Sequence, residues 1–332
     1  MESINVLSGW GVFPVTGSRA SSMITWDSEE KQAFLSGRVS GERELEITVQ
    51  IGERLSLRAS GERITYSELR ALLPSLSFLP GDMNLPDGSP SIRRLFLDKL
   101  CALCFPSYAR RLAEYRQLVR QRTALLRRNG ESSAPISLSL KASTLPIAQL
   151  GGWIRCARQK AVDLLSEKLS MESSSLKSGI LPFDVSVVME LHGGNKHTGL
   201  EGYIEDLKTA LDAGMERERR AGLVLAGPHR DDLTFSCFGG RPAALTLSRG
   251  QKRRLVMAAV LAAGHLIETK LRLKPILILD DVAAELDADG RALMGQALAA
   301  TGWQVFVSGA ENPFQTADAV WRVHDGKIWQ TT

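Results

Sequence analysis

The chain has few of the features that staple a protein, carry it across a membrane or leave it unfolded. It contains four cysteines, Cys101, Cys104, Cys156 and Cys237. These are too few and too scattered for a disulfide scaffold, so a reducing cytoplasm is expected. The longest apolar runs, such as 255–264, fall well short of the roughly 20 residues of a membrane helix, and no membrane partner is expected. Met1-Glu2-Ser3-Ile4 has neither the basic flank nor the apolar core of a secretory leader. No internal repeat is visible. A phosphate-cradling loop is also missing. No segment reads G-x-x-x-x-G-K-[ST], and the sole Gly-Lys pair, Gly326-Lys327, has Trp321 where the first glycine should stand.

The 332 residues are 44% hydrophobic and 23% charged, which excludes disorder, collagen and a coiled-coil repeat as the main state. A chain of this length has a prior of about two domains and can bury a large core unaided. The net charge of +4 says little, but its distribution is uneven. Residues 92–128 carry ten Lys/Arg against Asp98 and Glu114, a local +8. Arg93, Arg94, Arg110, Arg111, Arg116 and Arg120 are candidate phosphate-backbone contacts, weighed against an ordinary solvated helix face.

Three stretches differ in pattern. Residues 1–90 read as short strands and turns. Leu45, Ile47, Val49 and Ile51 alternate with polar residues, and a second alternating run at Leu55 and Leu57 suggests a hairpin. Ser67 is a candidate cap for a short helix ending before Pro74. Residues 91–180 are predicted to be mainly helical and Arg-rich, with Pro106 separating two helices. Residues 181–332 return to mixed signals: a strand at 185–191, a charged helix at 200–221, buried strands at 276–279 and 305–307, and a helix at 288–300 with Gly302 past its end. A terminal hairpin turns at Asp325-Gly326, with Trp321 and Trp329 packed across it. Helices between buried strands indicate an α/β sheet.

The strongest chemistry lies in 247–287. Ser248 is a good helix N-cap, and Gly250 allows close approach to a helix end that attracts anions. Ile276-Leu277-Ile278-Leu279 then delivers Asp280 and Asp281 to the carboxyl end of a strand, where ligands bind in open α/β sheets. Adjacent carboxylates repel unless a cation or a donor is present, and such a pair suits Mg²⁺ and the orientation of a water beside a phosphate. Glu285-Leu286-Asp287 follows.

This order, a capped Ser-x-Gly-Gln helix, an apolar strand ending Asp-Asp, then Glu-Leu-Asp, resembles the ATP-binding-cassette type of ATPase head. Within that class Gly227-Pro228-His229-Arg230-Asp231-Asp232-Leu233 and Arg93-Arg94-x-Phe96-Leu97-Asp98 resemble segments of the RecF family of DNA replication and repair proteins, in order along most of the chain. The resemblance implies an α/β P-loop NTPase of the ABC/RecF type with an inserted helical lobe. It assigns Ser248, Gly250 and Gln251 to the signature motif, Asp280 to the Walker B metal carboxylate, Asp281 to the catalytic acid, and 284–287, with Asp287, to the D-loop. It implies ATP and Mg²⁺ as cofactors. The implied partners are gapped DNA, other Rec proteins, and a second copy when ATP is sandwiched between heads. Glu2-Ser3-Ile4 resembles the helix after the family's P-loop. The chain is therefore expected to start just past that loop, without the first strands, and to be a poor ATPase alone. Ser308-Gly309 stands where many cassette ATPases carry a histidine.

Two other readings stay open: a DNA-binding or scaffolding protein that keeps the fold without the ATPase, and a metal-dependent phosphohydrolase using Asp280, Asp281 and His229. For 229–232 a structural ion-pair network competes with contact to phosphate. Cys101-x-x-Cys104, and His192 with His197, are not expected to bind metal.

Overall fold

The computed structural model describes residues 2–7, 24, 29–40, 44–52, 56–128, 134–174, 180–281, 286–310, 314, 317–325 and 327–331. In chain order the elements are α1 (Glu2–Leu7), β1 (Ala33–Val39), β2 (Leu45–Ile51), β3 (Ser56–Ala59), β4 (Glu62–Arg63), α2 (Tyr66–Leu72) and β5 (Ser75–Phe78). Next come α3 (Pro90–Cys104), α4 (Tyr108–Arg127), α5 (Ala134–Ser174), β6 (Val185–Glu190), α6 (Leu200–Ala221), β7 (Asp232–Cys237), β8 (Arg241–Pro242) and α7 (Ala243–Thr246). Then follow α8 (Arg249–Leu271), β9 (Ile276–Asp280), α9 (Ala288–Thr301), β10 (Gln304–Ser308), β11 (Val320–His324) and β12 (Lys327–Thr331). They form two compact units, one from residues 1–83, 172–182 and 247–332, the other from 84–171 and 183–246. Residues 183–246, grouped by sequence with the C-terminal third, thus cluster with the helical middle of the chain.

In the first unit, β1-β2-β3-β4 is an antiparallel sheet. The alternation in β2 puts Ile47, Val49 and Ile51 into a core with Val6, Leu57 and Leu69, as a half-buried strand requires. Leu55, the start of the second alternating run, lies outside the described residues. The second sheet is parallel, with β9 between β10 and β5. Ile276, Leu277, Ile278 and Leu279 are all buried, the pattern of a central parallel strand. Helix α8 contributes an almost unbroken buried run from Leu255 to Ala263. At Gly264 the Trp303 ring occupies the space of a Cβ, and that indole donates to Glu268 (3.0 Å).

Three sequence expectations need correction here. The cap of α2 is Thr65, which accepts from the Glu68 amide while Glu68 accepts from the Thr65 amide. This reciprocal pair satisfies two helix-end donors, which Ser67, already inside the helix, cannot do. Strand β10 is half-exposed rather than buried, because it pairs only with β9 among the described strands. In the terminal hairpin Trp321 faces Gln330 and Trp329 faces Arg322. The offset puts the two indoles on opposite faces, and they are 58% and 44% exposed rather than packed together. Gly326 lies outside the described residues.

The second unit holds α3 to α7 with the antiparallel sheet β6-β7-β8. Pro106 separates α3 from α4 as expected. Helix α6 ends with Gly222 at φ 62°, the left-handed position that glycine occupies without steric cost. The break expected near 131–135 and the loop near 173–178 fall mostly outside the described residues.

Candidate functional site

The parallel register of β9 and β10 sets Ser308 opposite Asp280. The Ser308 hydroxyl donates to Asp280 Oδ1 and accepts from the Asp281 amide (3.1 Å). The Ser308 carbonyl accepts from the same amide (3.2 Å). Asp280 is half-buried and Asp281 exposed. Asp281 adopts φ 53°, a left-handed conformation that Asp tolerates better than most residues and that ends the strand abruptly. The two carboxylates thus emerge at the carboxyl end of a buried parallel strand. One oxygen of Asp280 is pinned, and Oδ2 has no hydrogen-bond partner among the described residues. Hard oxygen ligands of this kind suit a divalent cation. Ser308 was not foreseen as a partner of these acids; its signal was its place at the end of the neighbouring strand.

Ser248 caps α8. Its side chain accepts from the Gln251 amide (3.3 Å), and Gln251 Oε1 accepts from the Ser248 amide (2.9 Å). Gly250 is exposed, with open space where a Cβ would stand. The first turns contain no acid but carry Arg249, Lys252, Arg253 and Arg254. Cations oppose the dipole at a helix N-terminus, and this cluster is a second feature the sequence reading did not single out. Asp287 caps α9, accepting from the Gly290 amide (2.7 Å). Residues 282–285, including Glu285 and the start of the D-loop match, lie outside the described residues.

The residues present match two edges of a magnesium–nucleotide site: a hard carboxylate oxygen at the sheet end, and an uncrowded capped helix start. The chain contains no G-x-x-x-x-G-K-[ST] segment, so none of its residues is assigned to cradle the inner phosphates.

The six arginines singled out by sequence divide sharply. Arg93 binds Asp232 through two bonds (2.8 and 2.7 Å) and donates to the Gly88 carbonyl (2.6 Å). Arg94 donates to the Asp231 carbonyl (2.9 Å). Arg111 stacks over Trp153, 4.5 Å from its ring centre. Arg110, Arg116 and Arg120 face solvent, as does Arg127. At 100° per residue, Arg116, Arg120 and Arg127 fall within about 40° on the helical wheel of α4. Arg122, on the same helix, is fully buried against Glu218 (2.9 Å).

The 227–233 segment is an ion-pair network. Asp231 is held by two bonds from Arg155 (2.8 and 2.9 Å), whose guanidinium also donates to the carbonyls of His192 and Gly193. Arg158 binds Asp98 (2.7 Å) and the Pro228 carbonyl (2.7 Å). His229 Nε2 lies 3.1 Å from the Val224 carbonyl, which can only accept, so Nε2 carries the proton. Nδ1 then accepts from the Tyr115 hydroxyl (2.7 Å). Burial is the chief cause that lowers the His229 pKa to about 4, with Arg230 and Arg94 adding to it against the Val224 bond and Asp231. The unfolded chain therefore binds an extra proton between about pH 6.5 and 4. Stability is expected to fall as pH is lowered through that window, and His229→Gln should flatten the fall in urea midpoints measured across it. Both ring nitrogens are engaged, so the phosphohydrolase reading loses its histidine. Among the described residues no group of three or more His, Cys, Asp or Glu is placed to hold a metal, and no helix is long and apolar enough to cross a membrane.

The family described as the RecF/RecN/SMC N terminal domain matches residues 16–328. The DNA replication and repair protein RecF of Heliobacterium modesticaldum is 30% identical, over 99% of this chain and 88% of that protein. That of Anaeromyxobacter dehalogenans is 30% identical over 90% and 79%, and that of Moorella thermoacetica 29% over 93% and 79%. Among solved structures, the recombination mediator protein RecF-ATP in the RecFOR pathway superposes with a TM-score of 0.84 at 22% identity, covering 100% of this chain and 87% of that one. An Smc head bound to the winged-helix domain of ScpA gives 0.52 at 16% identity, over 99% and 84%. The fold is thus the α/β ABC-type ATPase head of RecF.

Proposed function

The chain belongs to the RecF family of DNA replication and repair proteins, and from that premise we propose that it is an ATP-binding head that acts on DNA in replication and repair. The observation that carries the reading is the pair Asp280-Asp281, locked by Ser308 at the carboxyl end of β9. Magnesium–ATP, when bound, supplies a transferable phosphoryl group whose charge the metal offsets. Asp280 would hold the metal through Oδ2, which makes no hydrogen bond among the described residues. Asp281, exposed beside it, orients the attacking water and takes its proton. The Ser248-Gly250-Gln251 helix start closes on the terminal phosphate held by a second copy, so ATP drives a head-to-head homodimer, with Asp287 at the same junction. Arg110, Arg116 and Arg120 on α4 hold the DNA backbone in the 91–180 lobe. Arg93 is taken up by Asp232 and the Gly88 carbonyl, whereas Arg94 makes a single bond to the Asp231 carbonyl. Gapped DNA and partner Rec proteins are the assembly we assign, by likeness to the RecFOR protein.

A second reading keeps the fold and the DNA surface without ATP turnover. Sedimentation of the full chain with Mg²⁺ and ATP decides between them. On the first reading ATP shifts monomer to dimer, and Asp280→Ala raises the ATP needed by about tenfold, as loss of a charge-assisted ligand should. An identical response in the variant removes Asp280 from the site. DNA binding that ignores nucleotide in both proteins selects the second reading.

A further inference from the structure

Within the second unit, α3, α4, α5 and His229 line a half-open cavity of about 390 Å³. Its charged lining is Arg94, Arg116, Arg158 and Asp98, with His229 and the first turn of α3 at Ser91 completing the wall. The acid is already neutralised. Asp98 Oδ1 accepts from Tyr108 and Arg158, and Oδ2 from Arg116 (3.1 Å). His229 is held in its neutral form by burial. The cavity therefore keeps a surplus of two positive charges. Arg158 has its donors bound by Asp98, Tyr108 and the Pro228 carbonyl. Arg94 and Arg116 do not: among the described residues each makes one bond through one nitrogen, to the Asp231 carbonyl and to Asp98. Burial first, then the charge of Arg158, push the Arg94 pKa down, against the opposing pull of Asp232, Asp98 and Asp231. Leu95 and Leu112 line the same space, and the volume falls in the range of small-molecule sites.

The geometry points to this cavity as a receptor for one phosphate monoester, its oxygens on Arg94 and Arg116 and the attached sugar against Leu95 and Leu112. Two sources share that chemistry: the 5′-terminal phosphate of a DNA strand, and a free mononucleotide. Arg116 also stands on the exposed face of α4, so a duplex lying along that face brings a strand end to the cavity mouth. The first source therefore rests on the DNA reading above; the cavity itself does not.

The test uses the full chain and one fluorescent gapped duplex, prepared with either a 5′-phosphate or a 5′-hydroxyl at the gap, with dAMP binding followed separately by calorimetry. The 5′-phosphate is expected to bind about tenfold more tightly, the value of a charge-assisted bidentate contact. Arg94→Gln should bring that ratio to about one. Ser91→Asp, at an exposed position that leaves the packing alone, should do the same by placing an acid at the mouth. Arg120→Gln should weaken both duplexes and leave the ratio. A ratio near one with dAMP binding that Arg94→Gln and Ser91→Asp abolish assigns the site to a free mononucleotide. Failure of either duplex to bind, with dAMP bound, overturns the DNA reading and leaves the cavity site standing. No end preference together with no dAMP binding overturns the proposal.

Discussion

Arg155→Met is expected to destabilise the second unit by about 3–5 kcal/mol, the usual cost of leaving one buried charge without its partner. Arg155 and Asp231 are essentially unexposed, at 0% and 1% of their side-chain surface. Five hydrogen bonds meet at the pair: two between the side chains, two from Arg155 to the carbonyls of His192 and Gly193, and one from the His192 amide to Asp231 (2.8 Å). Methionine keeps much of the volume and removes every donor. The buried carboxylate is then stranded, and two part-buried carbonyls lose their partner. Urea unfolding followed by circular dichroism reads the loss. Arg155→Met with Asp231→Leu should recover part of it, because the stranded charge is gone while the His192 amide and both carbonyls stay unpaired. Stability equal to that of the unaltered chain, joined to a loss of DNA or nucleotide binding, would instead return the 227–233 segment to a direct functional role.

That network also marks where sequence reading stops. Strand β9 was legible because its signal is local: four apolar residues followed by two acids read as a buried strand ending at a polar edge. The cap of α8 was legible for the same reason, since Ser248 and Gln251 stand three apart. The bounds of α6 follow from its periodicity and Gly222. The cap of α2 was equally local, in Thr65-x-x-Glu68, and was misplaced only by choosing the wrong hydroxyl. What local pattern cannot supply is the partner of an arginine. Arg93 meets Asp232 at a separation of 139 residues, Arg122 meets Glu218 at 96, and Arg155 meets Asp231 at 76. In the sequence these arginines look like their neighbours Arg94, Arg120 and Arg127. Only the tertiary fold sorts a charge that holds the core from one offered to a ligand. The half-exposure of β10 has the same origin, since Val305 to Val307 read as core whether a strand is central or at an edge.

The sorting gives the DNA reading a sharp quantitative form. Arg110, Arg116, Arg120 and Arg127 replaced together by Gln should reduce the slope of log K against log[salt] by about 3–4, if each charge displaces one counterion. Affinity at low salt should fall by about a hundredfold or more. The change should be nearly independent of base sequence, because phosphates carry no sequence information. Fold should be retained: Arg110 and Arg116 have 72% and 55% of their side chains exposed, Arg110 has one loose pair with Glu114 at 3.9 Å, and Arg116 shares Asp98 with the better buried Arg158. Arg122→Gln supplies the contrast. It alters one residue of the same helix and the same charge, yet it breaks the buried pair with Glu218 and should lower stability first. Fluorescence anisotropy over a salt series, on a duplex and on a single strand, measures the slope. A slope unchanged by the four substitutions would place the DNA surface elsewhere on the molecule and reduce the α4 arginines to a solvated face.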